Sequence, residues 1–160
     1  MDIEQGLYLT QARSDFHALR ALKGADPCHQ IHYLQMATEK LAKAYFWRVG
    51  KPLKKRHDFF VKFLRAARKR GDIGRILGIK PTANWEAYVD SVLPVTLAVE
   101  QMAPSEAGDG PNAEYPWPHE APEQAPATFA FPVWDEIAAP HGQKFLGLLG
   151  RLLDNFEKFA

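Results

Sequence analysis

The chain reads as an all-α protein, an up-and-down bundle of about five helices. Three observations predict this. Apolar residues recur at helical spacing in five separate segments, no alternating run is long enough for a strand, and Gly or Pro punctuates the gaps between segments. No internal repeat interrupts the pattern, and 160 residues with 46% hydrophobic side chains suit one domain, 1–160, with a core of its own.

The first segment, about 3–23, sets Leu9, Ala12, Phe16 and Leu19 on one face, and Gly24 with Asp26-Pro27 stops it. A second helix starts at Pro27, in the first turn where proline is tolerated. Ile31, Leu34, Ala37, Leu41, Ala44 and Tyr45 form its stripe until Gly50 and Pro52. Asp58 is placed to cap a third helix, with Phe59, Phe60, Phe63, Leu64 and Ala67 facing inward and Lys62, Arg65, Arg68 and Lys69 outward. "GDIGRILGIKP" then reads as a short helical turn. The fourth helix is expected from Asn84 as N-cap through Trp85, Val89, Val92 and Val99 to Met102, with Pro94 imposing a kink or break. Residues 103–133 hold seven of the twelve prolines and an acidic cluster, a composition that predicts an irregular, extended or partly mobile loop. Trp134 to Ala139 reads as a turn before the last helix, "HGQKFLGLLGRLLDNFEKF".

The net charge of +1 hides a polarity along the chain. Residues 1–80 hold 17 Lys and Arg against 7 Asp and Glu, and residues 81–160 hold 3 against 12. Between 40 and 80 there are 14 cations and only two acids, Asp58 and Asp72. Such asymmetry suits a polyanion partner, and equally a match of basic and acidic faces within or between subunits. The amino-terminal stretch has no long apolar run, so neither a signal sequence nor a membrane span is expected, and the reading is cytoplasmic. The single cysteine, Cys28, cannot form an internal disulfide.

Enzyme templates fail on the residues. There is no phosphate-binding glycine loop, nucleophile elbow or carboxylate pair. Cys28, His29 and His32 offer zinc-type donors on one turn, but a closed site needs four and no partner motif supplies the rest, so no metal and no cofactor are expected. "KPLKKRHD" is a better anion site, with four cations and His57 feeding the start of a helix whose free N–H groups also favour anions. A solvated loop with His57 packed on the second helix is the competing reading. "KAYFWRVGK" interleaves cations with aromatics as single-strand binders do, yet consecutive Tyr45, Phe46 and Trp47 point in different directions, which favours core or dimer contact for some of them.

Taken in order, "HYLQMATEKLAKAYFWRVGKPLKKRHDFFVKFL" at 32–64 resembles the HEPN domain family (higher eukaryotes and prokaryotes nucleotide-binding). Tyr33, Ala37, Glu39, Lys40, Lys43, Ala44, Gly50, His57 and Asp58 fall at matching places. "AEYPWP" is similar to the Arg-Tyr-Pro that often follows the family's fourth helix, with Tyr115 and Pro116 matching and Glu114 standing where the arginine would be. The resemblance implies a bundle of about five helices, a homodimer, and association with a nucleotidyltransferase partner, a nucleotide or RNA. Some members are toxin ribonucleases of toxin–antitoxin pairs, marked by Arg, four to six residues, then His. Arg13 to His17 is one residue too short for that motif, and Glu114 supplies no guanidinium for a transition-state phosphate.

The reading is therefore a HEPN-like nucleotide- or RNA-binding module rather than a hydrolase, with Lys43, Arg48, Lys54, Lys55, Arg56 and His57 supplying charge and Tyr115 a stacking surface. The alternatives are a divergent ribonuclease using His57 and His119, and a structural helical subunit assembled through its charged faces.

Overall fold

A computed structural model describes residues 3–48 and 58–160. Among these there are eight α-helices and no named strand: α1 (Ile3–Ala21), α2 (Pro27–Arg48), α3 (Phe59–Arg68), α4 (Gly71–Ile76), α5 (Thr82–Glu100), α6 (Pro104–Ala107), α7 (Pro132–Ala138) and α8 (Pro140–Phe159). The five long helices are those read from the periodicity. The other three are single turns or little more, where proline or glycine limits propagation.

α1 and α2 form an antiparallel hairpin turned at Gly24, whose φ of 91° lies in the left-handed region glycine adopts without strain. Its two ends are pinned by polar contacts. Gln5 at the start of α1 donates to the Ala44 carbonyl near the end of α2, and Lys40 meets the buried Asp15 at 2.7 Å. Arg13 donates to the Leu153 carbonyl at 2.7 Å and pairs with Glu157, which fastens α1 to α8. Leu9, Phe16, Ile31, Leu34, Leu41, Phe60, Phe63, Val92, Phe145, Leu148 and Phe156 make one continuous buried core with Trp85. Trp85 is completely buried, so its indole N–H needs a partner, which it finds 2.8 Å away in the Ala67 carbonyl at the end of α3. α3 and α5 thus run antiparallel, with residue 67 beside 85 and residue 60 beside 100.

Two expectations about helix ends are corrected, and of the kink or break expected at Pro94 the break is absent. α5 begins at Thr82 with Pro81 at the N-cap, because proline's missing N–H is no loss there; the Asn84 side chain turns back to the Lys80 carbonyl instead. α5 then continues unbroken through Pro94 to Glu100. Asp58 occupies the N-cap of α3, but with φ −87° and ψ 23° it lacks the extended backbone that aims a capping carboxylate, and it bonds Lys62 rather than the helix amides.

The segment 103–133 is packed rather than extended. Asn112 Oδ1 accepts the Glu114 and Tyr115 amides, the Ala113 amide returns to the Met102 carbonyl, and Trp117 and Gln124 form an isolated bridge. Trp117 is buried edge-on against Phe129, with Phe131 beside both. The composition counted prolines and acids and underweighted these three large apolar anchors, which tie the segment into the core of the bundle. Among the described residues, no helix is long and apolar enough to cross a membrane.

Candidate functional site

The basic candidates lie where α2 ends and α3 begins. Lys54, Lys55, Arg56 and His57 fall outside the described residues, and of Arg48 only its place in α2 is described. Lys43 is half-buried, pairs with Glu39 one turn earlier, and lies 6.0 Å from the Phe59 ring centre. Its charge is matched inside the fold. The same holds for Lys40 with Asp15 and Lys62 with Asp58, while Arg68 forks onto Asp90 at 2.7 and 2.9 Å and Arg70 onto Asp72. These bonds hold Asp72 and Asp90 below the usual carboxylate range. What remains on the outer face of α3 is Arg65 and Lys69, both exposed and neither with an ion-pair partner among the described residues. Arg65 in the last turn of α3 and Lys69 at its C-cap are four residues apart, a short cationic stripe on that side.

One buried carboxylate organises this end of the bundle. Glu100, the last residue of α5, accepts the Phe60 and Val61 amides at 2.7 and 2.9 Å through Oε1, so it caps α3 from another helix. It is 6% exposed, and burial, partly opposed by the two amides, pushes its carboxyl up to about 7. Two of the free amides at the start of α3, which the sequence offered to an anion, are therefore already occupied.

Tyr115 and His119 belong to a different place. Tyr115 is 59% exposed and forms a wall shared by two clefts. One, about 390 Å³, lies between the first turns of α2 and the segments 113–115 and 125–127, and is lined by Cys28, His29, His32 and Glu114. The other, about 500 Å³, contains His119, Asp109, Asn112 and Trp117; the His119 amide donates to Asp109. The structure thus brings Tyr115 and His119 together. It does not bring Tyr115 to Lys43, because His32 and Lys43 are eleven residues apart on one helix, about 16 Å along its axis.

In the first cleft, Glu114 Oε1 stands 3.4 Å from His32 Nδ1, which lies edge-on to Tyr33. The carboxylate at the arginine position of the resembling motif therefore faces an imidazole, and it would pair with it once protonated. Cys28 is 2% exposed and burial pushes its thiol up, so it behaves as a small apolar residue, not a nucleophile. Among the described residues, no three His, Cys, Asp or Glu side chains are grouped to hold a metal ion.

Sequence reasoning missed two of these arrangements. The meeting of His32 with Glu114 spans 82 positions and has no local signal. Glu100 left a faint one, since a glutamate in the last turn of a helix opposes the macrodipole and suggests an outside partner. No protein-family model, curated protein or solved structure matches the chain.

Proposed function

We propose that the chain is a HEPN-like module that binds the phosphates of a nucleotide or single-stranded RNA without cleaving them, using the segment 48–57 together with the outer face of α3. The observation that carries this reading is the unmatched charge of Arg65 and Lys69. Lys40, Lys43, Lys62, Arg68 and Arg70 are each paired with a carboxylate of the chain, while Arg65 and Lys69 are left exposed and unpaired among the described residues, in and at the end of the helix that directly follows Lys54, Lys55 and Arg56. A solvated stripe of this kind favours polyanions through counterion release. The position of Glu114, 3.4 Å from His32, supports binding over hydrolysis, because a carboxylate stands where a phosphate transition state would need positive charge.

The test is the salt dependence of binding to a fluorescent single-stranded RNA oligonucleotide. Each cation on the strand contributes about 0.7 to the slope of log affinity against log salt, so Lys54/Lys55/Arg56→Ala should reduce the slope by about 2, and Arg65/Lys69→Ala by about 1.4. Affinity that stays level with salt, or survives both sets, would remove the proposal. RNA cleavage by the purified protein across the histidine titration range would shift the reading to the ribonuclease alternative.

A further inference from the structure

A further concavity lies between α1, α2, α7 and α8 and has a volume of about 520 Å³. That is within the range of roughly 300–1,000 Å³ found for small-molecule clefts. Phe16, Leu34, Trp134 and Leu146 give it apolar walls, and among the described residues the charged ones lining it are Arg20 and Lys23. Neither cation has an ion-pair partner among the described residues, and the Arg20 guanidinium lies 4.5 Å over the Phe16 ring. The nearby acids of α7 do not compensate: Glu136 pairs with His141, and neither it nor Asp135 lines the cavity.

Two glycines of α8 lie beside these residues. A Cβ at Gly150 would make ordinary contact with the Phe16 ring at 3.4 Å and the Arg20 guanidinium at 3.5 Å, so that pair lies directly against α8. Gly147 lines the cavity itself, and a Cβ there would meet nothing within 4 Å. Bare helix backbone facing open volume, apolar walls and two exposed cations without a carboxylate partner among the described residues, Arg20 in the last turn of α1 and Lys23 just beyond it, together describe a place for an amphipathic anion.

We propose that this cavity binds a small apolar carboxylate, its aryl or acyl body against Phe16, Leu34, Trp134 and Leu146 and its carboxylate at Arg20 and Lys23. Arg20, already stacked on Phe16, offers a planar fork suited to bidentate contact with a carboxylate. The apolar body supplies affinity by leaving water, and the cations decide which apolar molecules are accepted. Nothing in this site depends on the nucleic-acid surface of α3.

Calorimetric titration of the whole chain with 1-naphthoate and with octanoate tests it, with 1-naphthamide as the uncharged control. Binding of either carboxylate, at least tenfold tighter than the amide, is the expected result. Arg20/Lys23→Ala should weaken the carboxylates at least tenfold and leave the amide unchanged. Gly147→Leu should abolish binding of all three while the melting temperature stays level or rises, since it fills open space and replaces a glycine inside a helix. No binding of either carboxylate at millimolar concentration would overturn the proposal. So would equal binding of the amide, or carboxylate binding indifferent to both sets of variants. Sedimentation showing that Gly147→Leu splits a dimer would also overturn it, by assigning the cavity to a second copy of the chain.

Discussion

Glu100→Gln tests whether the buried cap of α3 is held at the cost of stability at neutral pH. Burial raises the carboxyl from an ordinary value of 4.5 to about 7 in the folded chain. The native state therefore binds this proton more tightly than the unfolded chain does. Its contribution to stability is fully present below about pH 4.5 and is lost as the pH rises through about 7. A difference of about 2.5 units, at 1.36 kcal/mol each, amounts to about 3 kcal/mol. Because Glu100 is 6% exposed, solvent screens little of this. Glutamine keeps an Oε1 for the Phe60 and Val61 amides and has no charge to bury. Urea unfolding at pH 5 and pH 8 should show the two proteins close to equal at pH 5 and the variant about 2–3 kcal/mol more stable at pH 8. All six histidines are common to both proteins and cancel in the comparison. Parallel pH profiles, or a variant less stable at pH 8, would refute the reasoning, since the two amides would then hold the carboxylate charged and content.

Other substitutions probe the packing. Asp15→Ala removes a buried acceptor of both Lys40 and Gln11 and strands the Lys40 charge, so chemical denaturation should register a loss of about 3 kcal/mol. Gly74→Ala places a Cβ 2.6 Å from Trp85 Cγ, and the fully buried indole cannot yield; a loss of about 1–3 kcal/mol is expected, with a shift in tryptophan emission. Trp117→Ala removes the anchor that ties residues 103–131 to the core. It should cost about 3–5 kcal/mol if that segment unfolds with the rest, or else create a protease-sensitive site there while the melting temperature holds. Glu100→Ala, which deletes the cap altogether, should be less stable than Glu100→Gln at every pH, by about 1–2 kcal/mol.

The residues that decided the fold are those whose information is local. Ile31, Leu34, Leu41 and Ala44 recur at helical spacing because one face of α2 must leave water, and Gly24, Pro27 and Pro140 mark ends where the backbone itself restricts the chain. From these the five long helices and the all-α class follow, as does the charge polarity that motivates the proposed anion surface. The sequence went astray where one local signal competed with a distant one. Asp58 is the obvious cap for α3, but Glu100 takes the role from 40 residues away. The prolines of 103–133 suggested an open loop, and Trp117 with Phe129 and Phe131 closed it.

The sequence by itself therefore determined the class, the long helices and the excess of cations between residues 40 and 80. Tertiary structure alone decided which of those cations are spent on the chain's own carboxylates, that Tyr115 stands with His119 and His32 rather than with Lys43, and that Arg20 and Lys23 share an apolar cavity with Trp134. The physical reason is one of range. Helical periodicity is fixed by neighbours three and four residues apart, whereas the partner of a charge or the wall of a cavity is fixed by whichever helix packs opposite.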